Sequence, residues 1–177
     1  MNGKALGSSF ERDIAKYLTK WVSGTVKPYI YWRSPGSGSL ATISDALDVS
    51  GDIMCLRLEG KFLTDRFSIE CKSGYPHANF HQHLKNTKNF QIKDFWIQCI
   101  HDATKANKQP LLIFKKKGLQ PIVGIDCKLR TILKEQIKLP ESLTLRFDDL
   151  TSVTFYDMIE FFNIVTPEII EDLPCQG

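Results

Sequence analysis

Long apolar segments are missing from this chain of 177 residues, which has no run close to the roughly 18–20 apolar residues of a membrane-spanning helix. Residues 1–4 are not followed by the apolar segment of a secretory signal peptide. Both absences argue against membrane insertion and export. We therefore expect a cytoplasmic protein without a membrane partner, either nucleoid-associated or viral in an infected cell.

Cysteines are few, scattered and odd in number: Cys55, Cys71, Cys99, Cys127 and Cys175. Three of them lie within apolar runs, as reduced thiols in a core do, and no two have the C-x-x-C spacing of a structural zinc site. The pattern excludes a disulfide framework and fits a reducing compartment.

Acidic residues are scarce in the first 138 positions, which contain 22 Lys and Arg against 12 Asp and Glu. Residues 139–177 reverse this balance, with one Arg and eight acids. The net charge of +3 is therefore the sum of a long basic segment and a short acidic one. A basic body favours a polyanionic partner such as nucleic acid, although a solvated basic surface would look the same. The acidic end either packs on the basic surface or keeps the protein soluble.

Hydrophobic periodicity predicts a layered α/β domain. The expected helices cover about 8–23, 89–107, 127–136 and 152–163, and the expected strands cover about 29–33, 52–58, 66–72, 110–114, 121–125 and 143–147. Glu59, Gly60 and Lys61 would turn a hairpin between the second and third strands. We divide the chain into a core at 1–125 and a C-terminal α+β extension at 126–177, which would pack on the core or at a dimer interface.

Acidic and basic side chains interrupt two otherwise apolar strands. Asp52 opens one, and Glu70 and Lys72 lie two residues apart on the next, so both point to the same face while Phe67, Ile69 and Cys71 face a core. Two carboxylates and a backbone carbonyl can hold a hard cation such as Mg²⁺, and a neighbouring lysine can orient water and offset phosphate charge. This combination suits hydrolysis of a phosphodiester.

The order Glu11, Asp52, Glu70-Cys71-Lys72 resembles the PD-(D/E)XK nuclease superfamily, and within it the archaeal-type Holliday junction resolvases. The closer resemblance covers about residues 3–116 and rests on three segments: Gly7-Ser8-Ser9-Phe10-Glu11-Arg12, Arg33-Ser34-Pro35-Gly36-Ser37-Gly38-Ser39 and Ile69-Glu70-Cys71-Lys72-Ser73. It implies a restriction-endonuclease-like core with a central mixed sheet flanked by helices. Gly51 stands where the family has proline, the loop before it is long, and residues 126–177 have no assigned counterpart.

The resemblance implies a catalytic set of Glu11, Asp52, Glu70 and Lys72. Asp52, Glu70 and the Cys71 carbonyl would bind Mg²⁺, which Mn²⁺ can replace, and Glu11 would join through water. We expect DNA contacts from the remaining candidate residues, namely Lys4, Arg33, Ser37, Ser39, Gln98, Lys115 and Lys116.

Several of these residues have structural explanations as well. Ser8 and Glu11 have the spacing of a capping box, and Asp45 and Asp48 are rivals for the role of Asp52. Glu70 and Lys72 could be a surface ion pair on an edge strand, and Gln98 could simply pack within its helix. The glycine- and serine-rich segment at 34–39 could be a disordered linker. The histidines of an H-x3-H-x-H pattern, at positions 77, 81 and 83, indicate a DNA-facing loop, with zinc binding as the alternative.

These observations predict a Mg²⁺-dependent DNA endonuclease that acts on branched DNA as a homodimer, because a two-fold axis places two active sites on a four-way junction. Two alternatives remain open. The first is a restriction-like, repair or phage-type nuclease on duplex, nicked or single-stranded DNA. The second is an inactive nucleic-acid-binding protein with a nuclease-like core.

Overall fold

The computed structural model describes residues 3–35, 50–85, 90–148 and 151–174. Its helices are α1 (Gly3–Ser23), α2 (Lys61–Arg66), α3 (His81–Leu84), α4 (Gln91–Lys105), α5 (Cys127–Gln136), α6 (Met158–Ile164) and α7 (Pro167–Glu171). Its strands are β1 (Tyr31–Arg33), β2 (Ile53–Cys55), β3 (Phe67–Ser73), β4 (Gln109–Lys115), β5 (Ile122–Ile125), β6 (Ser142–Arg146) and β7 (Ser152–Asp157). No helix within these ranges combines the length and the hydrophobicity that crossing a bilayer requires.

A mixed sheet of five strands, in the order β3-β4-β5-β7-β6, forms the centre of the molecule. β3 and β4 run parallel, and the other neighbours in this sheet are antiparallel. β1 and β2 form a separate antiparallel pair, which approaches the sheet where Gly51 bridges Ile69. The predicted α/β architecture, with a mixed sheet flanked by helices, is confirmed.

Helices cover both faces of the sheet and create two cores. On one face, α1, α5 and α6 pack on Ile69, Ile113 and Val123, each of which has no exposed surface. On the other face, α4 packs on Leu112 and Phe114. Side chains alternate along each strand, so one strand supplies both cores. As a result, a polar residue of β3 lies under α1 or under α4 according to its position in the strand.

The hairpin predicted between the second and third strands is wrong. Residues 58–60 form a 3-10 turn and α2 follows, so β2 and β3 are not hydrogen-bonded as a hairpin. The Tyr31 hydroxyl donates to the Gly60 carbonyl at 2.8 Å, and Leu63 is fully buried. These two contacts anchor the connection on the core, which a solvent-exposed turn could not achieve.

The helix predicted at 152–163 is also wrong, because its first half is β7. Val153 and Phe155 enter the core under α4, whereas Tyr156 enters the core under α1, which is the alternation of a strand buried on both faces. The helix begins only at Met158, where the Asp157 carboxylate accepts from the amides of Ile159 and Glu160. Since β7 lies between β5 and β6, the C-terminal segment contributes two strands to the central sheet.

Phe155, Ile159 and Phe162 have a helical spacing in the sequence, which predicts one apolar stripe for core or dimer contact, but the strand changes this arrangement. The two phenylalanines belong to opposite cores, and only Ile159 is exposed, at 42%. The spacing therefore arises from a strand followed by a helix, and the three side chains do not form one helical face.

Candidate active site

Asp52 is held against β3 by two hydrogen bonds. Its amide donates to the Ile69 carbonyl at 2.7 Å, and its Oδ2 accepts from the Cys71 amide at 2.8 Å. Gly51 makes this approach possible, since its φ is +80° and a Cβ built on it would lie 2.6 Å from the Ile69 carbonyl oxygen. A proline, whose ring fixes φ near −65°, could not adopt this backbone, which explains why glycine stands at that position here.

Glu70 and Lys72 lie on the face of β3 that is covered by α4. The Glu70 side chain is buried and its Oε1 is 2.5 Å from the Lys72 ammonium. The same oxygen accepts from Gln98 Nε2 of α4 at 3.2 Å. Lys72 Nζ lies 5.8 Å from the centre of the Phe95 ring. The pair is therefore enclosed between strand and helix, and the interpretation as a pair on a solvent-exposed strand face does not fit.

The carboxylates of the site influence one another. Burial raises the pKa of Asp52 to about 7, and the negative charges of Glu70 and Glu11 add to the rise, while the Cys71 amide hydrogen bond opposes it. Burial alone would lower the pKa of Lys72, but its hydrogen bond with Glu70 and the charges of Glu70 and Asp52 raise it above the ordinary value. Lys72 is thus a cation at neutral pH. Its single positive charge does not fully neutralise the three acidic groups Asp52, Glu70 and Glu11.

The oxygen atoms here suit a divalent cation. Across the described part of the chain, no group of three or more His, Cys, Asp or Glu side chains is arranged to hold a metal ion. The candidate ligands are a smaller set, namely the two carboxylates of Asp52 and Glu70 and the backbone carbonyl of Cys71, which lies between Glu70 and Lys72 in β3. Mg²⁺ commonly binds through one or two carboxylates and keeps several waters, so this set fits it.

Glu11 does not form a capping box with Ser8, because α1 begins at Gly3 and Ser8 lies inside the helix. Its Oε2 instead accepts from Arg33 Nε at 2.9 Å, with the two side chains 17% and 29% exposed respectively. Glu11 also contributes to the raised pKa of Asp52, so its carboxylate lies within electrostatic range of the site. Arg33 is thereby positioned next to the carboxylates by a residue of another element.

Substitutions at Glu11 and Arg33 separate a positioning role from metal binding. We expect Glu11→Gln to keep at least about one tenth of the cleavage rate, because the glutamine oxygen can still accept from Arg33. Arg33→Ala should lower the rate by about 10- to 100-fold, the value of one charge-assisted contact. Initial cleavage rates in Mg²⁺ measure both. A loss in Glu11→Gln as large as in Asp52→Asn would instead indicate that Glu11 binds the metal.

The remaining predicted residues occupy varied positions. Gln98 is exposed and reaches Glu70, and Lys115 and Lys116 are half-buried where β4 ends. Lys4 is in the first turns of α1, but its side chain is outside the described part. Ser37, Ser39 and the rivals Asp45 and Asp48 lie outside the described residues altogether, so their roles remain predictions.

The three histidines are not brought together as metal ligands. His83 packs its ring against Phe90 and Phe147, at centroid distances of 5.6 and 5.9 Å, while His77 and His81 are exposed. Among the described residues, no metal-binding group includes any of them. His83 thus has a packing role beside the core under α4.

Two aromatic residues beside Lys72 were not among the predicted site residues. Phe95 lies near the Lys72 ammonium, and Tyr75 contacts Phe95 with 4.6 Å between ring centroids. Phe95 precedes Gln98 by three residues in α4, so both share one helix face. The spacing of Phe95 and Gln98 could therefore have identified Phe95 as a neighbour of the site. Tyr75 could not be identified in this way, because it follows β3 in a segment without periodicity.

Comparison with known families agrees with this fold. A family model described as "Phage putative PDDEXK endonuclease" matches residues 2–171. The chain therefore belongs to this family of phage endonucleases in the PD-(D/E)XK superfamily, its five-stranded sheet is that of a restriction-endonuclease-like fold, and the family implies nuclease activity. The narrower likeness to archaeal-type Holliday junction resolvases remains a prediction.

A curated relative supports the phage connection. The chain is 29% identical over 94 residues to Protein D14 of Escherichia phage T5, a match that spans 53% of this chain and 55% of that protein. The match thus covers about half of each protein. No solved structure gives a significant match.

Proposed function

We propose that this protein is a Mg²⁺-dependent endonuclease that hydrolyses phosphodiester bonds in DNA. The observation that carries the proposal is the convergence of Asp52, which directly precedes β2, on the strand that bears Glu70 and Lys72. The basic charge of residues 1–138 supports DNA as the substrate, because lysines and arginines neutralise backbone phosphates.

Each residue has a defined task in this proposal. Asp52, Glu70 and the Cys71 carbonyl would hold the cation, which would supply an activated water and charge neutralisation at the scissile phosphate. Lys72 carries a positive charge beside the reacting phosphate and can donate a hydrogen bond to the attacking water or to a phosphate oxygen. Gln98 keeps the Glu70 carboxylate in place, and Arg33 contacts a flanking phosphate. Mn²⁺, which accepts the same oxygen ligands, should replace Mg²⁺.

Selectivity for branched DNA is the narrower form of the proposal. It rests on the resemblance to resolvases and requires two active sites related by a two-fold axis. β6 is the outer strand of the sheet and exposes Leu143 to 46%, so pairing of two β6 strands is one way to build a homodimer. Light scattering of the free protein and of its junction complex measures the mass, and a monomer in both would rule out paired cutting.

The decisive experiment is a cleavage assay on labelled four-way junction, duplex, nicked and single-stranded DNA, in Mg²⁺ and in EDTA. We expect cleavage only with the metal, and a loss of about 100-fold or more in Lys72→Ala, since one charged donor to the transition state is removed. Lys134→Ala, an exposed lysine of α5, is the matched control and should cleave like the unchanged protein.

The pattern of cut substrates decides among the alternatives. Symmetric nicks in the junction would support a resolvase, whereas preferential cleavage of the other DNAs would support a general, repair or phage-type nuclease. Tight binding without cleavage of any DNA, in both Mg²⁺ and Mn²⁺, would contradict the nuclease proposal and favour a binding protein.

A further inference from the structure

A cavity of about 660 Å³ opens at the carboxyl ends of β3 and β4. Its walls include two residues of α1, two at or after the end of β3, and two at or after the end of β4: Phe10, Asp13, Ser73, Tyr75, Lys115 and Lys117. Ser73 and Lys115 are register partners on the parallel strands, so the cavity floor is part of the sheet itself. The position of the cavity is therefore fixed by the core fold.

The cavity is linked to the candidate active site through Ser73 and Tyr75. Ser73 follows Lys72 in β3, and its side chain points to the opposite face of the sheet. Tyr75 connects the two faces, because it lines the cavity and its ring also contacts Phe95, whose ring centre lies 5.8 Å from the Lys72 ammonium. A DNA strand that runs from Lys72 past Tyr75 would thus reach the mouth of the cavity.

The lining chemistry suits a nucleotide. Phe10, Tyr75 and Pro76 provide apolar and aromatic wall, while Lys115 and Lys117 provide two amines against the single carboxylate of Asp13. The volume lies within the range of about 300–1,000 Å³ that is typical of small-molecule sites, and so has room for one nucleotide. Aromatic rings bind unpaired bases by stacking, and lysines attract the attached phosphate.

We infer that this cavity receives one unpaired nucleotide of the DNA strand that is cut. The base would lie against Tyr75, and its phosphate would be near Lys115 and Lys117. This inference rests on the proposed nuclease function and defines its substrate class, namely DNA with an unpaired nucleotide beside the cleavage point. A continuous duplex would have to flip a base out of its stack, which carries the cost of unstacking and unpairing that base.

Binding of fluorescently labelled DNA in EDTA tests the inference without cleavage. Tyr75→Ala should weaken binding of a single-stranded oligonucleotide by about 5- to 100-fold, the loss of one stacked base, and should change binding of a blunt duplex by less than about threefold. Tyr75→Phe keeps the ring and should bind like the unchanged protein. Melting temperatures establish that each variant is folded.

Lys117→Ala gives an independent measurement at an exposed residue. It should weaken single-strand binding and reduce the slope of log affinity against log salt concentration by about one, as the loss of one phosphate contact does. Lys134→Ala, on α5, should leave both quantities unchanged. An equal loss for single strand and duplex in Tyr75→Ala, or no loss in either, would overturn the inference.

Cleavage in Mg²⁺ is measured separately, so the two proposals fail in distinguishable ways. If DNA is cleaved but Tyr75→Ala binds single strands normally, the cavity inference is wrong and the nuclease proposal stands. If single-strand binding depends on Tyr75 but no DNA is cleaved, the cavity is a nucleotide site in a protein that is not a nuclease.

Discussion

Asp52→Asn is expected to lower Mg²⁺-dependent DNA cleavage by at least about 1,000-fold, because a metal ligand that supports several kcal/mol of transition-state stabilisation is lost. The asparagine oxygen can still accept the hydrogen bond from the Cys71 amide, so the approach of Gly51 to β3 should persist. Asp65→Asn, in the exposed ion pair of α2 with Lys61, is the matched control and should cleave normally. Cleavage by Asp52→Asn at the unchanged rate would refute the assignment.

Asp52→Asn, although it reduces cleavage, should make the metal-free protein more stable above neutral pH. In metal-free protein the pKa of Asp52 is raised to about 7 from its ordinary value of 3.8, so the folded chain binds more protons than the unfolded chain between these values. The free energy of unfolding therefore falls as pH rises from about 4 to 7 and stays low above it. Asp52→Asn lacks this decline and should melt about 2–4 °C or more above the unchanged protein at pH 8, but not at pH 4.

Thermal melting in EDTA and in Mg²⁺ at pH 8 completes this measurement. A cation that binds only the folded state raises its melting temperature, so Mg²⁺ should stabilise the unchanged protein and should have a smaller effect on Asp52→Asn. If EDTA and Mg²⁺ give equal melting temperatures at saturating Mg²⁺ for the unchanged protein, then Asp52 and Glu70 do not hold the cation.

Gly51→Ala should have the second large effect, and it should reduce both stability and cleavage. The left-handed backbone at φ +80° costs a non-glycine residue about 1–2 kcal/mol, and the new Cβ would also meet Ile69 backbone atoms at 2.6 and 2.8 Å. Backbone atoms cannot rotate away as side-chain ends do, so β2 must shift from β3. We expect a loss of about 2–4 kcal/mol in the free energy of unfolding and at least about 10-fold in cleavage.

Gly24→Ala separates the two contributions in this prediction. Gly24 also has positive φ, +72°, but a Cβ there would have no atom within 4 Å. It should cost only the backbone strain and leave cleavage unchanged. Denaturant unfolding of both variants gives the comparison, and equal losses would show that the approach of Gly51 to Ile69 is not tight.

The strand that carries Glu70 and Lys72 was predictable because its signal is local. Alternation along β3 places Glu70 and Lys72 on one face and buries Phe67 and Ile69 on the other, and two-residue periodicity requires no knowledge of the partner strands. Likewise α5 extends over 127–136 as predicted, since Asp126 accepts from the Leu129 amide at its start. Caps and periodicity are contained in a few neighbouring residues.

Elements that depend on distant partners were harder to predict. Residues 152–163 combine a strand buried on both faces with a helix, and their apolar spacing is similar to that of a single helix. Only the pairing of β7 with β5 and β6 distinguishes the strand from a helix. The hairpin prediction was wrong for the same reason. The Gly60 carbonyl accepts a hydrogen bond from the Tyr31 hydroxyl, which lies 29 residues away in the chain.

The sequence by itself therefore determined the class of the domain, the strand that carries Glu70 and Lys72, and the order of acids that indicates a nuclease. Tertiary structure alone decided that Asp52 contacts β3 through the Cys71 amide, that Glu11 pairs with Arg33, and that a cavity opens where β3 and β4 end. The physical reason is separation along the chain. Asp52 lies 19 residues from Cys71, and Glu11 lies 22 from Arg33, so these contacts form only when the sheet and α1 pack together.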